Sequence, residues 1–172
     1  MSSANLSVLV GKNFVCVKIA GRANFASSPD FKTLLNELRQ KGFGHFLIDL
    51  SDCVLMDSTF LGVLAGFGMK LNPQGAPPER GIELHNPTTR VSDLLENLGA
   101  SHLFKTTTGI LKLPADVTAS TPASIHPTHE QIARTSLEAH ETLMAMNPEN
   151  QARFKDVAQF LAEDLKSIDK SS

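Results

Sequence analysis

Hydrophobic and polar positions alternate in a way that predicts strands and helices in turn over the first two thirds of the chain. The stretch LSVLVGKNFVCVKIAG predicts two strands around a tight turn at Gly11, Lys12 and Asn13. In SSPDFKTLLNELRQKG, apolar residues recur at helical spacing, with Ser28 as a candidate cap and Pro29 at the first helical position. The short apolar run HFLIDL favours a strand that is buried on both faces.

The pattern continues with two more helices and their strands. An apolar helix is predicted over residues 59–71, followed by a loop in NPQGAPPERG and a strand in GIELHN. Asn86 and Pro87 open a third helix that ends at Gly99, and HLFKTTTGILKL supplies one or two final strands. The order β-β-α-β-α-β-α-β predicts an α/β domain with a mixed sheet flanked by helices, ending near Leu113.

The last third of the chain has a different pattern. Residues 114–127 are rich in proline and small side chains and are expected to form a linker. Two amphipathic helices follow, with a restart at Asn147 and Pro148, and they predict a C-terminal helical hairpin. The expected organisation is therefore a domain over residues 1–113, a linker over residues 114–127 and a hairpin over residues 128–172.

The hairpin allows two interpretations. Its second helix is expected to bury one apolar face, and near-heptad spacing on that face also suits a homodimer or a docking element. The alternative is a hairpin packed against its own domain. The residues predicted to be buried are Phe154, Val157, Phe160, Leu161, Leu165 and Ile168.

Composition narrows the range of functions. The chain has 172 residues, of which 41% are hydrophobic and 20% charged, with a formal net charge of −2. This supports a packed core and gives no basic surface for direct nucleic-acid binding. Cys16 and Cys53 form neither a close pair nor a metal-binding spacing, and no signal peptide or membrane span is evident. We therefore expect a reduced protein of the cytoplasm.

The segment DLSDCVLMDSTFLG places acids and hydroxyls before an apolar helix. Ser58 suits an N-cap, and Asp57 is an alternative cap. The helix behind them is apolar on almost every side, which is typical of a helix in the core or one docked on a partner. Gly62 and Gly66 are four residues apart and leave one side clear for close packing. Residue types alone favour the cap, and a phosphorylation switch at Ser58 is the second interpretation.

These residues resemble a known family. FLIDLSDCVLMDSTFLGVL is similar to the signature of the STAS domain (sulfate transporter and anti-sigma factor antagonist), with matches at Asp57, Ser58 and Thr59. GRANF resembles the Gly-Arg motif of the family, and ELHNPTTRVSDLLENLGASHLF resembles its closing strand, helix and strand. Two positions depart from the pattern: Phe60 stands where glycine is usual, and Asn24 where many members have aspartate.

The resemblance implies a fold and a function. It implies an anti-sigma factor antagonist that binds an anti-sigma factor with serine kinase activity and is dephosphorylated by a PP2C-type phosphatase. Ser58 would be the phosphoacceptor, and Asp57, Thr59, Phe60 and Asn24 would contact the partner. Such a protein regulates sigma-factor-dependent transcription as a substrate, so we expect neither an enzyme nor a cofactor.

Physical chemistry adds an expectation about the phosphate. No Lys or Arg lies in the acidic loop, so a phosphate on Ser58 is expected to stand out as a negative group on the docking surface and to repel a partner. Two rival functions remain: an unphosphorylated STAS scaffold that assembles with other copies, and a small-molecule-binding STAS module of a membrane-associated system. His126, His129 and His140 are too loosely spaced for a metal site and are interpreted as solvated side chains.

Overall fold

The computed structural model describes residues 3–72 and 81–170, which contain seven strands, five α-helices and a short 3-10 helix at Ser101–Leu103. The predicted loop NPQGAPPERG lies mostly outside these described residues. The strands are β1 (Asn5–Val10), β2 (Val15–Ala23), β3 (His45–Asp49), β4 (Cys53–Met56), β5 (Gly81–His85), β6 (Lys105–Thr107) and β7 (Thr118–Ser120). The helices are α1 (Ser28–Gln40), α2 (Ser58–Leu71), α3 (Thr89–Asn97), α4 (His129–Met146) and α5 (Glu149–Lys170).

The sheet is mixed, as the sequence predicted. Its strand order is β6-β5-β3-β2-β1-β7, and β4 pairs with the end of β2. β1 pairs antiparallel with β2 and β7, whereas β2–β3, β3–β5 and β5–β6 are parallel. The predicted α/β class, with a helix-flanked mixed sheet and a C-terminal hairpin, is confirmed.

Two strands were not predicted. β4 lies inside the acidic loop and runs parallel to β2, with Ala23 opposite Met56. β7 lies inside the predicted linker and adds to the edge of the sheet beside β1. Both are short, and their strand character comes from a partner strand that lies far away in sequence, so no local pattern marks them.

Helices α1 and α2 begin close to their predicted starts, and Pro29 lies in the first turn of α1. The expectation that Ser28 caps α1 was wrong: Ser28 is the first residue of the helix, and Ser27, at the cap position, makes no side-chain cap bond. The third helix begins later than expected, since Thr88 caps it by accepting a hydrogen bond from the backbone N–H of Val91. Its proline, Pro87, therefore lies before the cap.

The C-terminal hairpin packs against its own domain. Helix α4 lies on the outer side of α2, where Leu143 joins the domain core and Ala139 covers Gly62. The prediction that α5 buries one full apolar face was wrong at two positions: Val157 is 42% exposed and Phe160 is 68% exposed. These side chains face away from α4 and the domain.

Phe60 anchors α2 in the core. Its side chain is fully buried and its ring stacks on Phe31 of α1, with centroids 4.3 Å apart and planes 15° from parallel. Aromatic pairs of this kind add to the large stabilisation that burial of an aromatic ring supplies. The contact fixes α1 against α2 below the acidic loop.

We expect Phe60→Ala to lower the free energy of unfolding by about 3–5 kcal/mol, because it leaves a cavity in a close-packed core. Urea unfolding followed by circular dichroism measures this. The matched control is Phe160→Ala, whose exposed ring should change stability by no more than roughly 0.5 kcal/mol. Equal effects of the two substitutions would contradict the placement of Phe60.

Candidate functional site

Asp57 connects the start of α2 to the loop after β2. Its backbone is extended, and its Oδ1 accepts a hydrogen bond from the backbone N–H of Phe60 at 2.8 Å. Its Oδ2 accepts a second bond, from the backbone N–H of Phe25, at 2.6 Å. Asp57 is therefore the N-cap of α2. Ser58 is the first residue of the helix, so its side chain does not serve as the cap.

Burial raises the pKa of Asp57 above its ordinary value, and this outweighs the hydrogen bonds from Phe60 and Phe25 that act in the opposite direction. The carboxylate lies in a partly buried position between two chain segments, where water solvates it poorly. The same carboxylate holds two backbone N–H groups in place. The position of the Asp57 carboxylate therefore depends on these two hydrogen bonds as well as on its charge.

Ser58 pairs with a histidine from the C-terminal hairpin. The Oγ of Ser58 lies 2.9 Å from Nε2 of His140, and Nδ1 of His140 lies 2.7 Å from the carbonyl oxygen of Ser136. A carbonyl oxygen only accepts, so Nδ1 carries the proton. In neutral His140 the Nε2 atom is then an acceptor, and the Ser58 hydroxyl donates to it.

The next hydroxyl also faces α4. Thr59 is buried, and its Oγ1 lies 2.8 Å from the Oγ of Ser136. One turn later, α2 and α4 are in backbone contact: a Cβ built on Gly62 would lie 2.6 Å from both the Cβ and the carbonyl oxygen of Ala139. The prediction that the glycines clear one side of α2 for close packing is confirmed at Gly62, where the packed element is α4. At Gly66 a Cβ would lie 3.7 Å from Thr142, an ordinary contact.

This arrangement changes the expected surface. Ser58 is half-buried and its Oγ is directed at a buried histidine, so the hydroxyl is only partly exposed and does not stand on an open surface as the sequence suggested. Thr59 and Phe60, both expected to contact a partner, have buried side chains in this structure. For Phe60 the reason is its stacking on Phe31 in the core, and for Thr59 it is the bond to Ser136 on α4.

Asn24 has a local structural role. Its Oδ1 accepts hydrogen bonds from the backbone N–H of Ala26 and the hydroxyl of Ser27. These bonds shape the turn between β2 and α1, next to Phe25, whose N–H reaches Asp57. Asn24 thereby lies in the loop that bonds to Asp57, and its effect on Asp57 runs through the loop backbone.

His140 is the main residue that the sequence reasoning missed. It was interpreted as solvated, but it is only 4% exposed and its ring packs edge-on against Phe154. A signal was present in the sequence: Ser136, Ala139 and Leu143 lie at helical spacing, and the two small residues among them suit close packing against a pair of glycines. The His140 position itself lies 82 residues from Ser58 and has no local mark.

The other histidines of this region are separate from His140. His129 pairs with Asp164 of α5 at 2.8 Å, and His126 is exposed in the segment before α4. Within residues 3–72 and 81–170, no group of three or more His, Cys, Asp or Glu side chains could hold a metal ion. None of the helices in these ranges is long and apolar enough to cross a membrane.

A serine that donates to a histidine nitrogen is also the arrangement of an activated nucleophile. Here α4 covers the pair. A cleft of about 110 Å³ between α1, α2 and α4 is lined by Lys32, Gly66, Lys70 and Glu138 among others, and neither Ser58 nor His140 lines it. The geometry therefore favours a structural hydrogen bond between two helices.

The substitution Asp57→Ala tests the two hydrogen bonds that Asp57 accepts from Phe60 and Phe25. We expect it to lower the free energy of unfolding near neutral pH by about 0.5–2 kcal/mol, the usual loss for a removed cap. A pKa raised by folding means that folded Asp57 holds its proton more tightly than the unfolded chain does. The free energy of unfolding of wild type exceeds that of Asp57→Ala, and this difference should therefore shrink as pH rises from 3.8 through the raised pKa of folded Asp57. A difference that grows over this range, in chemical unfolding at several pH values, would contradict the direction of the shift.

Comparisons with known proteins agree with this fold. Residues 9–112 match the family model described as "Mlab, STAS domain". A candidate anti-sigma factor antagonist from Thermotoga maritima superposes with a TM-score of 0.52 and 21% identity, over 60% of this chain and 86% of that one. An anti-sigma factor antagonist from Mycobacterium paratuberculosis superposes with a TM-score of 0.52 and 17% identity, over 60% of this chain and 85% of that one. A search of curated sequences finds no significant relative. Since the family match spans more than half of the chain, this protein belongs to the STAS domain family.

Proposed function

We propose that this STAS protein is an anti-sigma factor antagonist whose binding is controlled by phosphorylation of Ser58. The observation that carries the proposal is the geometry of the Asp57–Ser58 pair. Asp57 caps α2 and bridges to the loop after β2. The Ser58 hydroxyl, at the N-terminus of the helix, is therefore not needed to accept a bond from the backbone N–H groups there. The antagonists that share this fold support the function at the level of the fold.

The modification has a simple chemistry. A partner kinase transfers the γ-phosphoryl group of ATP to Oγ of Ser58, ADP leaves, and the hydroxyl proton passes to a base of the kinase. The product carries about −1.5 to −2 charges at neutral pH. The N-terminus of a helix tolerates such an anion, because its free N–H groups and its dipole both favour negative charge. Phosphorylation is therefore compatible with a folded α2.

The phosphate would act on binding through charge and size. The ionised form of Asp57 would lie next to it and would increase the local negative charge. A partner surface that buries the unmodified hydroxyl would lose affinity through repulsion and through the cost of desolvating the phosphate. A PP2C-type phosphatase would restore the neutral surface and with it the binding of the anti-sigma factor. The regulated process is sigma-factor-dependent transcription.

Mass spectrometry of the intact protein purified from its native cells tests the switch. We expect a fraction of molecules heavier by about 80 Da, the mass of one phosphoryl group, with fragmentation placing it on Ser58. Ser58→Ala should lack this species, and Thr59→Ala is the neighbouring-hydroxyl control that should keep it. A Ser58 that stays unmodified through growth and stress would remove the basis of the proposal.

A second candidate function is assembly without phosphorylation. It is favoured by Val157 and Phe160, two large apolar side chains exposed on the outer face of α5 and three residues apart. Their spacing places them on one side of the helix, as a helix-to-helix dimer contact requires.

The assembly function predicts a dimer that depends on α5. Sedimentation equilibrium of the full chain should then give twice the mass of 18.6 kDa, and Phe160→Ser should return it to the monomer. The control is Gln159→Ser, an exposed position beside Phe160 that should leave the dimer intact. A monomer at all concentrations would exclude this dimer contact.

A further inference from the structure

We propose that α4 is a removable cover over Ser58: the α4–α5 hairpin opens away from α2, and only the open form presents Ser58 to a kinase or a protein partner. Its role in signalling rests on the proposed function. The opening itself is a property of this chain and can be measured without any partner.

The first argument is the space around Ser58. Its Oγ lies 2.9 Å from Nε2 of His140, a side chain that is almost wholly buried. Ser58 itself is half-buried, and with its Oγ in this orientation a phosphorus atom and three oxygens would overlap the imidazole ring. The transfer of a phosphoryl group also needs the acceptor oxygen to be reached in line with the departing ADP. With the hydroxyl bonded to His140, neither requirement is met while α4 holds its present position.

The second argument is the nature of the interface at this end of α2. Where α4 approaches the start of α2, the contacts are polar or small: Ser58 with His140, Thr59 with Ser136, and Gly62 with Ala139. Water can replace both hydrogen bonds when the helices separate, so their net contribution to closure is modest. At this end of α2, separation of the helices therefore costs less free energy than it would across an apolar contact.

The third argument is that the domain core is built almost entirely without the hairpin. Within the described residues, Leu143 is the one hairpin side chain among the fully buried members of that core, and Met146 and Phe154 pack at its edge. The match to the family also ends at residue 112, before the hairpin begins. Opening would expose part of α2 but would leave the sheet and the α1–α2 contacts intact.

The hairpin would stay tethered while it is open. The segment before α4 is attached through β7, which pairs with β1, and through Asp30, whose carboxylate accepts hydrogen bonds from the Ser124 hydroxyl and the Ile125 N–H at 2.7 and 2.8 Å. A tethered segment rebinds at a high effective concentration, so opening is reversible.

Two glycines of α2 provide an opening variant and its matched control. Gly62→Ala would place a Cβ 2.6 Å from the backbone oxygen of Ala139, so α4 has to move away. Gly66→Ala would place its Cβ 3.7 Å from Thr142, an ordinary contact. Both substitutions raise the helix propensity of α2 by the same amount, so they differ in their effect on α4 and not in their effect on α2.

The measurement is the rate at which N-ethylmaleimide labels Ser58→Cys in the full chain at neutral pH. The native thiols serve as internal reporters of global unfolding, since Cys16 and Cys53 are both buried. Burial also raises the pKa of Cys16 to about 11 and that of Cys53 above its ordinary value, so both react slowly while the fold is intact. Mass spectrometry resolves the three sites.

We expect Gly62→Ala to speed labelling at position 58 by roughly fivefold or more, because overpacking of a closely packed site typically shifts an equilibrium by about that factor or more. Gly66→Ala should change it by less than about twofold. Cys16 and Cys53 should stay unlabelled in both. A second opening variant, Ala139→Leu, creates the same overlap from the α4 side and leaves residues 9–112 unaltered, and it should give the same result.

Two results would overturn the proposal. One is labelling at position 58 that is as fast in the parent as in both opening variants, which would mean that α4 does not cover the site. The other is labelling of Cys16 and Cys53 together with position 58, which would mean that the hairpin leaves only when the whole domain unfolds. Neither result depends on a kinase.

The role of hairpin opening in signalling is measured separately, by the phosphorylated fraction of Ser58. In native cells, Gly62→Ala should raise the phosphorylated fraction of Ser58 above that of Gly66→Ala. Absence of phosphate in every variant, with labelling that still responds to Gly62→Ala, would contradict the proposed function and leave the opening of the hairpin established. Equal phosphorylated fractions in the two variants would contradict a role for opening in access to Ser58.

Discussion

Helix α2 is apolar on almost every side, and both of its faces therefore have to be buried. One face lies against the sheet and α1, where Phe60 stacks on Phe31. The other face carries Gly62 and Gly66, and α4 covers it with Ala139 and Thr142. A helix of this composition left half exposed would present a large apolar surface to water. The position of the C-terminal hairpin follows from this requirement.

The polar groups at the start of α2 are accommodated within the same contact. Asp57 satisfies backbone N–H groups from two chain segments, and Ser58 and Thr59 find partners on α4. Each buried hydroxyl is paired, as buried polar groups in folded proteins generally are. One interface therefore combines an apolar part, which holds the hairpin in place, with a polar end that can exchange its bonds for bonds to water or to another protein.

Charge and volume would act together if Ser58 is phosphorylated. On an exposed serine, a phosphate changes the docking surface mainly through its charge. On Ser58 it would also be too large for the space between α2 and His140. In the proposed scheme the modified protein would both repel an anti-sigma factor and be unable to close its own hairpin.

The sequence by itself determined most of the helices and strands, the α/β class and the Asp57–Ser58 segment, because these depend on local spacing of apolar residues and on a contiguous motif. Only the tertiary structure showed that Asp57 joins two chain segments, since its second hydrogen bond comes from Phe25 in another loop. The same holds for β4 and β7, whose partner strands are distant in the chain. The local pattern also could not show that Phe60 is buried or that His140 bonds to Ser58. A contact across 82 residues depends on how whole helices pack.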